Sequence, residues 1–216
     1  MVITERRERE RQEIRAKILD TARELFAQDG YDAVTMREIA RRIEYSPTAI
    51  YFHFADKAAL IRELCNADFL ALAKQFVDLM RLRDPIERIR RAGEAYIEFA
   101  VRNPNHYRLM FMTPMPAEAP SPAESTLQQG NPEEDAYAFL RGSVAEALAA
   151  GRFHPGLTDP DLISQVFWAG VHGIAALQVV RKEQDPWVEW RPLAQRTRLL
   201  IDALVDGLTV KRATDG

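Results

Sequence analysis

The sequence predicts an all-α protein, a small N-terminal three-helix domain followed by a larger helical one. Three observations carry that expectation. Apolar residues recur at spacings of three and four from Ile14 to Leu208, the period of an amphipathic helix. Prolines and capping residues stand where such runs begin, as at Ser46-Pro47, Pro85 and Asp159-Pro160. No run alternates with a period of two between hairpin turn signals. The 216 residues, 47% of them apolar, suffice for a sizeable core and for two domains, taken as 1–57 and 58–216.

The first helix is expected from about Glu8 to Gln28, with Ile14, Ile18, Ala22, Leu25 and Phe26 on one side and Asp29-Gly30 as its stop. Arg6, Arg7, Arg9 and Arg11 stand at or ahead of its start, interleaved with Glu5, Glu8, Glu10 and Glu13. They read either as a salt-bridged helix extension with pairs at i,i+4 or as an arm lying along a phosphate backbone or minor groove. Residues 35–57 are the most specific stretch. Thr35 and Glu38 have the spacing of a capping box, and Ile39, Ala40 and Ile43 give the helix they open a narrow apolar side. Glu44-Tyr45 make the turn. Ser46 caps a second short helix with Pro47 at its first position, where a missing N–H costs nothing. That helix, Pro47 to about Phe52, is too short to stand alone and must be held by its neighbours. Ile50 and Phe54 point to the packing side, which leaves Ser46, Thr48, Tyr51 and His53 outward. Asp56 caps the next helix, with Lys57 in its first turn.

That helix is expected to continue to about Met80, and the next runs from Pro85 to Arg102. Asn103-Pro104 break the chain and open a short helix through Met112. Residues 113–132 hold prolines 114, 116, 120, 122 and 132 and read as an irregular loop, either between helices or as a flap beside a ligand entrance. Further helices follow at Glu133–Ala150, Pro160 to about Arg181, and Pro192 to about Leu208. The last two have wide apolar faces. Gly170 and Gly173 weaken the first of them unless another helix comes close, which suits a dimer built on a four-helix bundle.

Two short helices and a tight turn suit a DNA groove, and the residues that form them also carry a resemblance. The pattern Thr-x-x-x-Ile-Ala at 35–40, then Tyr-Ser-Pro-x-x-Ile-Tyr-x-His-Phe-x-x-Lys-x-x-Leu at 45–60, resembles the DNA-binding domain of the TetR family of transcriptional regulators. The resemblance runs from about Ile14 to Leu60. Glu44 departs from it, since many members carry Gly there, and positive φ at such a turn costs a non-Gly residue roughly 1 kcal/mol. The resemblance implies that Pro47, Thr48 and Tyr51 lie against base edges and thymine methyls, while Thr35, Arg37, Ser46, His53 and Lys57 hold phosphates. Without it, Tyr51 and His53 read as packing residues of a three-helix domain. A second segment, Phe-Trp-Ala-Gly-Val-His-Gly-Ile-Ala-Ala-Leu at 167–177, resembles a C-terminal subgroup of TetR regulators marked by Trp, His and Gly.

The resemblance favours a repressor, the need for two DNA-reading heads implies a homodimer on palindromic operator DNA, and the aromatic and Met residues of the larger domain suggest a small apolar or aromatic effector. Candidate effector residues are Tyr96, Phe99, Tyr107, Phe111, Tyr137, Phe167, Trp168 and His172, although most aromatic residues at helical spacing are plain core. An activator, or a helical adaptor that binds protein rather than DNA, is the alternative. Charge limits the DNA reading: residues 1–57 carry 11 Lys/Arg against 11 Asp/Glu, so binding must rest on placement rather than on net charge. No paired-histidine, P-loop, Gly-x-Gly-x-x-Gly or Gly-x-Ser-x-Gly motif points to an enzyme, a metal or a cofactor. One cysteine, Cys65, excludes an internal disulfide and fits a reducing cytoplasm. Neither a signal peptide nor a stretch approaching about 20 apolar residues is expected.

Overall fold

The computed structural model describes residues 2–113, 127–180 and 188–210. These are all-α, with nine α-helices among them. The helices are α1 (Val2–Asp29), α2 (Met36–Arg42), α3 (Pro47–His53), α4 (Lys57–Lys74), α5 (Pro85–Arg102), α6 (Pro104–Phe111), α7 (Ala136–Ala149), α8 (Pro160–Val180) and α9 (Leu193–Leu208). A short 3-10 helix, Val77–Arg81, follows α4. Among the described residues the only β-type pairing is an isolated bridge between Phe153 and Thr209. The chain divides into two units, Met1–Asp68 with Asn105–Thr126 and Phe69–Pro104 with Leu127–Gly216.

The core of the first unit is the apolar stripe of α1 (Ile18, Ala22, Leu25, Phe26) closed by Ile39 and Ala40 of α2, Ile50 of α3, Leu60, Ile61 and Leu64 of α4, and Leu109 of α6. Ile50 and Phe54 are buried, so the short α3 is held by its neighbours, as its length requires. A polar knot sits beside this core. Asp68, 1% exposed, takes Arg23 on both carboxylate oxygens at 3.1 Å, and His106 Nδ1 lies 2.8 Å from it. Arg23 also reaches Asp20 at 2.8 Å. Cys65 lies one turn before Asp68. Burial, with the Asp68 charge, pushes its thiol up to about 11, so it stays protonated and unreactive at neutral pH.

In the second unit α5 packs against α7, α8 and α9. Gly93 permits the close approach. A Cβ there would lie 2.9 Å from the Phe167 ring of α8 and 3.1 Å from Ile201 of α9. Ion pairs rim the packed faces, Arg88 with Glu146, Arg90 with Asp202 and Asp206, and Arg152 with Asp84. A cavity of about 10 Å³ lies among Ile89, Val144, Phe167 and Val205, room for a single water at most.

Several sequence expectations need correction. α1 begins at Val2 rather than near Glu8, because pairs such as Arg6 to Glu10 support a helix that has no apolar stripe. α4 stops at Lys74 instead of running to Met80. Gln75 and Phe76 bond three residues back, and the tightened chain turns Phe76 into the core against Phe139, with ring centroids 5.3 Å apart. α7 begins at Ala136, because the Asp135 carboxylate caps Tyr137 and Ala138. Of the two α8 glycines, only Gly170 meets a packed neighbour, with Leu204 2.6 Å from a built Cβ; Gly173 has nothing within 4 Å. By length and composition alone α8 could cross a bilayer, a measure that the core helix of a folded domain also meets. It is apolar on two sides. Ile163, Phe167, Val171 and Ala175 face the core, while Leu162, Val166, Leu177 and Val180 are exposed. Prolines 114, 116, 120 and 122, the expected flap, lie outside the described residues.

Candidate nucleic-acid interface and sensor core

The helix-turn-helix is assembled by caps. Thr35 Oγ1 accepts from the Glu38 N–H at 3.1 Å, and Ser46 Oγ from the Ala49 N–H at 3.2 Å. Each hydroxyl keeps its own proton to donate to a phosphate oxygen. The Glu38 side chain does not close the reciprocal half of a capping box; it binds Arg41 at 2.6 and 3.0 Å, which lowers the carboxyl and raises the guanidinium. Arg41 is thereby neutralised, while Arg37 stays exposed and joins no ion pair among the described residues. The turn between α2 and α3 is a Schellman closure. Tyr45 N–H reaches the Ala40 carbonyl and Glu44 N–H the Arg41 carbonyl, with Glu44 at φ 63°. Glu44→Gly relieves that left-handed strain and is expected to raise stability by up to about 1 kcal/mol. Glu44→Ala retains the strain and gains nothing. Urea midpoints of the two variants check this, and a loss of stability in Glu44→Gly refutes the strain account.

Thr35, Arg37, Ser46, Pro47, Thr48 and Tyr51 are all exposed, Tyr51 at 52%. His53 and Lys57 are half-buried and differently employed. Lys57 donates to the Tyr31 carbonyl, and its ammonium lies 4.0 Å from the Tyr31 ring centroid. Burial pulls its pKa down and Asp32 pulls it up. One of its three N–H donors is thus spent on tying α4 to the segment after α1. His53 Nδ1 is buried and makes no hydrogen bond among the described residues. Burial, with the nearby charges of Arg11 and Arg15, lowers the His53 pKa, so the ring is neutral at pH 7. Arg15 is consumed internally by Glu63, the His53 carbonyl at 2.7 Å and the Phe54 ring at 4.3 Å.

The proposed effector residues fall into two groups. Tyr107 and Phe111 belong to the first unit, where their rings pack 5.1 Å apart and Tyr107 is fully buried. Tyr96, Phe99, Tyr137, Phe167, Trp168 and His172 belong to the second. There Phe99 and Phe167 are core, and only Phe167 lines the small cavity. Tyr96 connects α5 to α8. Its hydroxyl accepts from Trp168 Nε1 at 3.2 Å and lies 2.9 Å from His172 Nδ1. Donation to Nδ1 satisfies all three groups when His172 carries its proton on Nε2. Tyr137 packs 6.2 Å from Trp168 and donates to Asp161 at 3.0 Å; with Arg141, it holds that carboxyl below its usual range. No group of three potential metal ligands forms among the described residues.

Burial lowers the His172 pKa. The folded chain therefore binds fewer protons than the unfolded one below about pH 6.5. Stability is expected to be level above that pH and to fall as the pH drops through the window below it. His172→Gln should flatten the decline in thermal midpoint between about pH 7.5 and 5.5; an unchanged slope overturns the assignment. Sequence reasoning named Tyr96, Trp168 and His172 one by one, but their hydrogen bonds join residues 72 and 76 apart. It missed Phe52, 72% exposed beside Tyr51, because that aromatic fits no apolar period.

Residues 18–64 match the family described as bacterial regulatory proteins, tetR family, and residues 89–207 match the tetracyclin repressor-like C-terminal domain. The chain is 38% identical over 80 residues to the HTH-type transcriptional regulator UidR of Escherichia coli (strain K12), covering 37% of this chain and 38% of UidR. It is 34% identical over 110 residues to the HTH-type transcriptional activator FasR of Mycolicibacterium smegmatis, covering 47% of each. The chain thus spans less than half the length of these curated relatives. A solved structure of a protein of unknown function from Rhodococcus sp. RHA1 is 25% identical, with a TM-score of 0.70, over 91% of this chain and 95% of that one.

Proposed function

The chain belongs to the tetR family of bacterial regulatory proteins, and from that premise we propose that it is a cytoplasmic transcriptional repressor that binds a palindromic operator as a homodimer and releases it on binding a small apolar or aromatic effector. The observation that carries this is the outward face of α3. Pro47, Thr48 and Tyr51 project from a helix fixed at its back by Ile50 and Phe54, with Thr35, Arg37 and Ser46 exposed around it. Such a face reads base edges and thymine methyls, while the surrounding donors set register on the phosphates. Lys57 and His53 serve as phosphate donors through their remaining N–H groups.

A single helix-turn-helix covers few base pairs, and two must stand about 34 Å apart to read a palindrome. The uncovered face of α8 (Leu162, Val166, Leu177, Val180) and of α9 (Leu199) supplies the apolar surface for that pairing. The Trp-His-Gly segment belongs to the same proposal. Trp168 and His172, joined through Tyr96, provide the polar groups against which an otherwise apolar effector is oriented. An effector favouring one separation of the two DNA-binding heads needs a coupling of only about 1–3 kcal/mol to change operator affinity roughly 5–150-fold. One with equal affinity for both states changes nothing.

Selecting bound sites from random DNA with purified protein tests the reading. An inverted repeat is expected, and binding should fall in Thr48→Ala and Tyr51→Ala with folding intact. If no sequence is enriched, and neither substitution matters, the adaptor reading stands instead. The similarity to an activator makes the sign of regulation a separate measurement, by reporter transcription from the recovered site with and without the protein.

A further inference from the structure

α1 holds a feature that the helix-turn-helix does not use. Its residues 5–13 are all exposed, a stretch of helix with no core beneath it. The side that faces the core from Ile14 to Phe26 continues into this overhang as Arg11 and then Arg7, at steps of four residues back from Arg15. Arg15 fixes where that side points, because its guanidinium lies on Phe54 and donates to the His53 carbonyl at the end of α3. One turn earlier, the Arg11 guanidinium lies 5.6 Å from the ring centroid of Phe52. Arg7 follows about 6 Å further along the axis.

The charges of this overhang are unequally spent. Arg6 is paired with Glu10 at 2.9 Å, and Glu8 takes Gln12 at 2.8 Å. Arg15 is committed to Glu63. Arg11 has no carboxylate partner among the described residues; its recorded contact is the exposed face of Phe52. The Phe52 ring beside Tyr51 lies open to solvent, and a guanidinium stacked on a ring keeps its N–H edge free for an anion.

We propose that Arg11, steadied on Phe52, with Arg7 one turn beyond, is a second phosphodiester-binding element, so that DNA entering against α3 is gripped along its backbone by the N-terminal turns of α1. The inference rests on the DNA-binding reading above and adds residues to it. Of the acidic side chains of the overhang, Glu10 is taken by Arg6 and Glu8 accepts from Gln12, while Arg11 pairs with no carboxylate among the described residues.

The test is the salt dependence of affinity for a duplex recovered from random-sequence DNA, over about 0.05–0.3 M salt. A lost phosphate contact lowers the slope of log affinity against log salt by about 0.9 and weakens binding roughly eightfold at 0.1 M salt. Arg11→Gln is expected to do both. Arg9→Gln, which removes the same charge from another side of α1, is expected to leave the slope alone. Phe52→Ala should weaken binding in the wild-type background and add little to Arg11→Gln. All three positions are exposed, and circular dichroism checks folding. A slope in Arg11→Gln equal to that of wild type or of Arg9→Gln overturns the proposal while leaving the α3 reading in place. Failure of the wild-type chain to bind any duplex overturns both.

Discussion

Asp68→Ala is expected to destabilise the protein by about 3–5 kcal/mol, a large share of the 5–15 kcal/mol that holds a typical domain. Asp68 is 1% exposed and takes both the Arg23 guanidinium and the His106 ring. Removing it leaves the buried Arg23 cation with the exposed Asp20 as its one remaining carboxylate partner among the described residues. The cost is that of an uncompensated buried charge, far more than the worth of one surface ion pair. The same reasoning predicts that Arg23→Met with Asp68→Leu recovers most of the loss, because two well-packed apolar groups need no partners. Urea unfolding of the single and double variants measures this. If Asp68→Ala costs under about 1 kcal/mol, the knot is solvated in solution and the account is wrong.

Leu199→Glu is expected to leave the fold intact and to dissociate the proposed dimer. Leu199 is 72% exposed on α9, so a carboxylate there meets only water in a single chain. In a bundle of α8 and α9 from two copies it would be buried among apolar side chains such as Leu177. A central interface position of this kind is worth about 2–4 kcal/mol, which weakens self-association roughly 30- to 1,000-fold. Sedimentation at micromolar concentration should show a monomer, and operator affinity should fall with it, because one half-site then binds alone. Wild-type protein that is already monomeric under those conditions refutes the four-helix bundle and the reading of α8 as an interface helix.

The fold was largely legible in the residues. α5 was expected from Pro85 to Arg102 and is found there, because a proline start and an Asn-Pro stop fix a helix locally. The caps at Thr35, Ser46 and Asp56 were equally readable. So was the strain at Glu44, since only a residue at positive φ closes the end of α2. The end of α4 was not, because Leu72, Phe76 and Met80 keep a helical period whether or not the chain tightens at Gln75. The sensor residues were legible only as a set, for an aromatic at helical spacing looks the same as core or as pocket wall. Packing makes Phe99 and Phe167 core and leaves Trp168 at the surface.

The sequence by itself determined helix order, the caps of the helix-turn-helix and the outward facing of Thr48 and Tyr51 on α3. These follow from interactions spanning three or four residues, so neighbours in the chain suffice to specify them. Only the tertiary structure decided which cations are spent and which remain available. Lys57 is bound to a carbonyl 26 residues away and Arg15 to a carboxylate 48 residues away, while Arg11 rests on Phe52 with no carboxylate partner among the described residues. The physical reason is that charge pairing acts through space. Eleven basic and eleven acidic residues sum to zero in residues 1–57, and only folding separates the arginines turned inward from those left to face a phosphate.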